Sequence, residues 1–476
     1  MPIPVYITGP AGSGKTFKLL EIAAERAQTA LLYPHQHVLA MTFMHGARRR
    51  LESSIGSHNL CSKIPFTVCT IDSFALSLVN RWRSALGIEF PVLPAPAGCE
   101  KSFERHSRSH LTFEDIANHA TQLLKKSTVA RIVGSSYPLV IIDEFQDCTE
   151  QRLELVKALS EECQLILAAD PFQLLQSNTT SCPAAEWIET FESAKGLEHH
   201  QLTEPHRFSA NLGIFAAARA VRDNVPLQEP TITVHCGPAS PAAWWMMERL
   251  LLGWYGPRWS GNTAIISPSG GGVIDDVLQA MSEHAVKRGC KPICWARQST
   301  SEEEQAALQS ALGVTRNHLD EDDWHLPAEP VSTHASEIID NAQRFVELRG
   351  LRRIPKYLIA AMVERSVHTA RSQSRSHSRF VVTTIHGAKN REFDNVIVVW
   401  SYRIPPDRGL QRRLLYNAIS RAKINCVVFD TRKKSVVIND PIIGLLNCVK
   451  PIFHVKPKSA KSKSTTLSTT AIIPKK

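Results

Sequence analysis

Gly9-Pro10-Ala11-Gly12-Ser13-Gly14-Lys15-Thr16 decides the fold of this chain. The stretch fits G-x-x-x-x-G-K-[ST]. It follows the short apolar run Val5-Tyr6-Ile7 and leads into the helical pattern Phe17, Leu19, Leu20, Ile22, Ala23. Strand, loop and helix in that order are the context in which this pattern carries meaning. Glycines let successive backbone N–H groups turn inward around phosphate oxygens, and the start of the helix adds a positive field. Lys15 is then set to reach the β- and γ-phosphates of a nucleotide, and the Thr16 hydroxyl to meet Mg²⁺.

A second strand end completes that chemistry. Pro138-Leu139-Val140-Ile141-Ile142 is a continuous apolar run that stops at Asp143-Glu144. Such a run suits a strand buried on both faces of a parallel sheet. Two carboxylates at its end are costly in a core, so they are expected to face a ligand. Asp143 would hold Mg²⁺, and Glu144 would orient or deprotonate an attacking water.

The 476 residues exceed what one compact core holds and predict about two to four domains. Composition is that of an ordinary globular chain, 43% hydrophobic and 21% charged. The formal charge of +10 favours a polyanionic partner. Met1-Pro2-Ile3-Pro4 leads straight into a strand, so no secretory signal is expected, and no apolar run approaches membrane-spanning length. Eleven scattered cysteines read as reduced thiols, which with the lack of a signal predicts a cytoplasmic protein. Cys290 and Cys294 have no second pair at zinc spacing, so no structural metal is expected. From Lys456 the chain is Lys/Ser/Thr-rich, and residues 451–476 read as a disordered basic tail. Ser372 to Ser378, with Arg371, Arg375 and Arg379, reads as a flexible loop before a strong strand.

A longer series of motifs runs in order after the phosphate loop. It comprises Thr42-Phe43-Met44-His45-Gly46-Ala47, then Thr67-Val68-Cys69-Thr70-Ile71-Asp72-Ser73-Phe74, then Asp143-Glu144-Phe145-Gln146-Asp147. Next come Ala168-Ala169-Asp170-Pro171-Phe172-Gln173 and Leu202 with His206-Arg207. Thr383-Thr384-Ile385-His386-Gly387-Ala388-Lys389-Asn390-Arg391-Glu392-Phe393-Asp394 and Leu414-Leu415-Tyr416-Asn417-Ala418-Ile419-Ser420-Arg421-Ala422-Lys423 close the series. From residue 5 to about residue 430 it resembles the UvrD/Rep/PcrA group of superfamily-one helicases.

The resemblance implies ATP and Mg²⁺ as cofactors, with Gly9, Gly12, Ser13, Gly14, Lys15, Thr16, Asp143 and Glu392 around the nucleotide. It implies Glu144, Gln173, Arg207 and Arg421 as the catalytic set, the two arginines stabilising transition-state charge. It places Thr42, Phe43, Thr70, Ser73, Thr384 and His386 on the backbone of a nucleic-acid strand, where hydroxyls and amides hold phosphates without reading sequence. Arg48-Arg49-Arg50 either follows the strand electrostatically or forms a solvated face.

The chain departs from the group's pattern in several places. Asp72 stands where His is common, Ala169 where Gly is, and Asn390-Arg391 where Gly-Leu is. With the loop opening at residue 9, the adenine-reading Gln that the group carries upstream is expected to be missing. After Gln173 the group's base-stacking aromatic is replaced by Leu174-Leu175-Gln176-Ser177-Asn178-Thr179, so one stacking platform is either missing or supplied elsewhere, with Trp187 as the candidate.

The expected fold is α/β: two RecA-like parallel-sheet domains of the P-loop NTPase type, with two small, mostly helical insertions. Residues 1–75 and 135–205 would form the first, with 76–134 inserted, and 206–268 and 380–450 the second, with 269–379 inserted. Function is expected to be that of an ATP-dependent translocase or helicase on single-stranded DNA, with RNA left open and movement 3′ to 5′. The alternative is an ATP-driven, DNA-sensing subunit that works with a nuclease in repair or phage defence. No nuclease carboxylate cluster is visible, and a small-molecule kinase would leave D-E-F-Q-D unexplained.

Overall fold

The structure is a computed structural model of the chain. It describes residues 3–451 apart from 30–31, 90, 95–109, 149, 176–181, 194–195, 205–210, 254–256, 270, 298–300, 315–321, 327–331, 350–352, 355, 357, 361, 364–365, 367–377, 401–403, 405 and 448–449. Arg207, the basic tail apart from Pro451, and the Ser/Arg-rich loop apart from Ser378 and Arg379 therefore lie outside the described residues; Pro451, read from the sequence as the start of that tail, instead ends a strand.

Strands β1 (Val5–Thr8), β2 (Val38–Thr42) and β3 (Phe66–Thr70) belong to a first sheet. A two-residue ladder of β4 (Leu93–Pro94) and β5 (His110–Leu111) follows. The first sheet then resumes with β6 (Leu139–Ile142), β7 (Gln164–Ala169) and β8 (Glu198–Gln201), in the order β3-β2-β6-β7-β1-β8. Every pairing in it is parallel. Its strands are apolar runs because both faces are covered. Val5, Ile7, Ala40, Ile141 and Ile166 pack on one side with the helix Lys15–Thr29. Tyr6, Met41, Ile142 and Leu167 pack on the other with the helices Ile71–Trp82 and Phe113–Leu124. That second face also takes in the helix Ser127–Ser136 through Val129 and Val133, so the helical part of residues 76–134 shares the first sheet's core.

The second sheet has the order β11-β12-β10-β13-β14-β9-β15 and is parallel throughout. Its strands are β9 (Thr233–Cys236), β10 (Thr263–Ser267), β11 (Ala296–Arg297), β12 (Phe380–Thr384), β13 (Phe393–Trp400), β14 (Ala422–Asp430) and β15 (Lys450–Pro451). The helices Leu212–Asp223 and Arg408–Ile419 cover one face, with Ile266, Val396 and Val428 beneath them. The helices Ala239–Met247 and Val273–Lys287 cover the other, over Ile265, Ile397 and Val427. Two RecA-like α/β layers result, as the sequence predicts. Within 269–379, the helix Val273–Lys287 and β11 are part of the second sheet's layer. A separate helical core forms around Leu308, Leu312, Trp324, Ile338, Ile359 and Val363.

Parallel strands put all their C-terminal ends on one edge, and ligands of open α/β sheets bind there. In the first sheet that edge carries the loop after β1, the carboxylates after β6 and the turn after β7. Gly9 roots the loop against the segment that follows β8. A Cβ there would lie 2.8 Å from the Leu202 carbonyl oxygen and would also strike the Ser13 hydroxyl. Asn390 has φ 63°, in the left-handed region that favours Gly and tolerates Asn, which explains how Asn390-Arg391 stands in for Gly-Leu.

Gly9→Ala is expected to lower stability by about 1–3 kcal/mol, because the obstruction is backbone. Gly56→Ala meets nothing within 4 Å in the helix His45–Ser57, and should be neutral or stabilising by up to about 1 kcal/mol. Thermal unfolding should place Gly9→Ala below the parent and Gly56→Ala at or above it.

Candidate nucleotide site between the sheets

The loop Gly9–Thr16 turns through Gly12 and Gly14, whose φ angles of 79° and 84° are open to glycine. Lys15 is buried, and its ammonium donates to the carbonyl oxygens of Gly9 at 2.9 Å and Pro10 at 3.1 Å. The cation is thereby held inside the curl of the loop. The Thr16 hydroxyl donates to Asp143 Oδ2 at 2.9 Å, so two hard oxygen donors from different strand ends converge. The buried Ser13 hydroxyl has no hydrogen-bond partner among the described residues. That orphaned group and the Thr16–Asp143 pair fit a phosphate with Mg²⁺, which prefers one or two protein oxygens plus the substrate's own. Among the described residues no cluster of three His, Cys, Asp or Glu side chains forms a metal cage of its own.

Asp143 and Glu144 differ in environment although they are neighbours. Burial, and next the Glu144 charge, raise the Asp143 carboxyl above its ordinary range. Burial acts the same way on Glu144, but Arg50, Lys15 and Lys389 together outweigh it and hold that carboxyl below the ordinary range. Glu144 sits at φ 59°, and Gln146 Nε2 donates to its Oε2 at 2.7 Å. The Gln146 Oε1 accepts from the Asp170 amide at 2.9 Å, which ties the end of β6 to the end of β7. Gln173 then donates to Asp170 Oδ2 at 2.9 Å.

The second sheet's elements reach this edge through several side chains. Arg421, 3% exposed, donates from Nη2 to Gln173 Oε1 at 3.2 Å and from Nε to the Asn417 carbonyl at 3.1 Å. Tyr416 donates to Asp170 Oδ2 at 2.7 Å and accepts the Ala11 amide at 2.6 Å. Arg222 approaches Asp170 Oδ1 at 3.3 Å. Lys389 pairs with Asp147 at 2.5 Å. Glu392 lies 3.9 Å from Arg50 and 3.7 Å from Lys423. Of the catalytic set, Glu144, Gln173 and Arg421 are thus brought together, and Arg207 falls outside the described residues.

Two sequence expectations need correction. Arg50 is not part of a strand-following row. It turns into the cleft, 3.5 Å from Glu144, with Asn390 accepting from its guanidinium at 3.4 Å, while Arg48 pairs with Glu52 along its own helix. Three consecutive helical positions splay by about 100° each, so the three arginines cannot share one face. Trp187 is not a free stacking platform either: it packs edge-on against Phe145 and Phe191 beside the first sheet's core.

The strand-contacting candidates gather at strand ends. Thr42 and Thr70 are register partners at the ends of β2 and β3. Thr42 is buried with its hydroxyl unpartnered among the described residues, and Phe43 packs against the core. Thr70 caps the helix Ile71–Trp82, accepting from the Ser73 amide at 3.1 Å and meeting the Ser73 hydroxyl at 2.7 Å. Thr384 ends β12 and accepts from the Gly387 amide at 3.1 Å, and His386 beside it is exposed. Asp72, where His is common, takes both carboxylate oxygens to Arg152, at 2.8 and 3.1 Å.

Comparison with known proteins agrees with this geometry. An AAA domain model matches residues 2–179, and a UvrD-like helicase C-terminal domain model matches residues 379–429. Over these two stretches the chain is similar to UvrD/Rep/PcrA-like superfamily-one helicases. The two matches fall on the loop-bearing sheet and on β12 to β14 of the second. No curated protein matches this chain. The solved structure of the PRRSV helicase is similar over 90% of this chain and 53% of that one, at 12% identity and a TM-score of 0.34. This chain thus spans about half the length of that protein. Among its described residues no helix is long and apolar enough to cross a membrane.

Sequence reasoning does not single out Tyr416, Asp170 or Arg222, and it reads Arg50 only together with Arg48 and Arg49. Tyr416 and Asp170 lie inside matched motifs, so motif membership was the available signal. For Arg222 there was none. Arg50→Ala should reduce nucleotide turnover about tenfold or more and leave the salt dependence of single-strand binding unchanged, because its guanidinium is committed to Glu144 and Asn390 in the cleft. Turnover assays and fluorescence anisotropy over a salt series would check both halves.

Proposed function

We propose that the chain is an ATP-dependent translocase or helicase on single-stranded DNA, moving 3′ to 5′ in the direction the resemblance implies. The observation that carries this reading is the hydrogen bond from Arg421, beside the second sheet, to Gln173 at the end of β7. A pair of RecA-like layers joined at the phosphate edge can turn nucleotide chemistry into relative movement.

In this reading Lys15 exchanges its loop carbonyls for the β- and γ-phosphates. Thr16 and Asp143 would hold Mg²⁺, which when bound would supply positive charge beside the phosphates. The low basicity of Glu144 suits it to orient the attacking water, more than to take its proton. Gln173 senses the γ-phosphate, and Arg421 stabilises charge as it develops, with Arg207 in the same role. Glu392 holds Arg50 and Lys423 at the rim. Thr42, Phe43, Thr70 and Ser73 on one side and Thr384 and His386 on the other grip the strand's backbone in turn, which yields steps. Such contacts are indifferent to sequence.

Hydrolysis measured with and without single-stranded DNA tests the proposal, and a rate unaffected by the strand would overturn it. Lys15→Ala should abolish hydrolysis in saturating single-stranded DNA; activity within about tenfold of the parent removes Lys15 from the site. Glu144→Gln should bind nucleotide within about threefold of the parent and turn over at least about a hundredfold more slowly. Equilibrium binding of a fluorescent ATP analogue beside steady-state kinetics separates the two effects.

A further inference from the structure

Tyr416 stands at a junction that the reaction as described above does not use. It lies in the helix Arg408–Ile419, is fully buried, and bridges two groups far apart in sequence. A phenol has one proton to give. Asp170 is 0% exposed, carries a full charge's worth of acceptor capacity, and claims that proton at 2.7 Å. The polarity of the bridge is therefore fixed: the hydroxyl gives to Asp170 and takes the N–H of Ala11 at 2.6 Å. Ala11 belongs to the phosphate loop, whose amides are donors for phosphate oxygens. Asp170 in turn holds Gln173, and Gln173 accepts from Arg421. Ala11, Tyr416, Asp170, Gln173 and Arg421 thus form one continuous chain of hydrogen bonds that crosses between the first sheet's elements and the second's three times.

We propose that Tyr416 is the positioning residue that couples phosphate occupancy of the loop to the placement of Gln173 and Arg421. This rests on the reading of the cleft as a site of nucleotide hydrolysis. A phosphate oxygen that takes the Ala11 N–H must displace the Tyr416 hydroxyl. The displaced hydroxyl still has its proton on Asp170, so the shift is felt at the carboxylate that fixes Gln173. Tyr416 touches no reacting atom; it sets where Gln173 and Arg421 stand.

Tyr416→Phe keeps the ring, which packs edge-on at 5.2 Å from Phe172, and removes only the hydroxyl. Two consequences follow with opposite signs. The Ala11 N–H loses its internal competitor, so affinity for a fluorescent ATP analogue should be unchanged or up to about tenfold tighter. Gln173 and Arg421 lose their link to the loop, so kcat in saturating single strand should fall by about tenfold or more while KM falls or holds. Damage to the fold would raise KM together with the loss of kcat. Asp170→Asn, which keeps shape and removes the charge that orients the hydroxyl, should show the same split. The double variant should be no worse than the poorer single one, as for groups that act as a unit.

Kinetics of Tyr416→Phe within about twofold of the parent overturn the proposal, and so does a lower kcat with raised KM or additive losses in the double variant. A parent protein that hydrolyses no nucleotide overturns instead the reading on which the proposal rests.

Discussion

A carboxylate with no access to water must find its solvation inside the protein. Asp170 is that carboxylate here, and the cleft is built around its needs. One oxygen takes Gln173 and Tyr416, and the other faces the Phe172 amide at 3.3 Å and Arg222 at 3.3 Å. Those groups come from the turn after β7 and from two helices that cover the second sheet. Removing any one of them leaves a buried charge less well compensated, which is expensive in a low-dielectric interior. The two sheets meet where they do because this charge cannot be satisfied from one side alone.

Asymmetry between Asp143 and Glu144 follows from similar considerations. Both are buried at the end of β6. Glu144 is ringed by Arg50, Lys15 and Lys389, so it keeps its charge at the expense of proton affinity. Asp143 lies deeper in the balance of burial and repulsion and is relieved by the Thr16 hydroxyl. An incoming divalent cation would find Asp143 the more responsive group, and a water would find Glu144 already ionised. Adjacent positions in the chain are thus prepared for different duties by what surrounds them.

Local features were legible in the sequence. The phosphate loop, the apolar runs that became β1, β6 and β7, and the carboxylates at the end of β6 all rest on contacts between near neighbours. The parallel sheets followed from runs too apolar to have a wet face. What could not be read was direction and distance. Arg50 is indistinguishable from Arg48 and Arg49 as a letter; only helical geometry turns it toward Glu144. Trp187 is an aromatic in a helix, and whether it offers a face to solvent depends on Phe145, 42 positions earlier in the chain. Tyr416 meets Ala11 across a separation of 405 residues, and no periodicity foretells such a meeting.

The small helical core around Trp324 enters and leaves the second sheet through adjoining strands, since Ala296 in β11 is the register partner of Val381 in β12. A module whose two attachment points are neighbours imposes little closure entropy on its host. Its length and contents are therefore nearly free variables for the sheet that carries it. Evolution can enlarge, shrink or exchange such a cassette and leave the cleft's geometry untouched, which makes this the place where a chain of this architecture acquires its individuality.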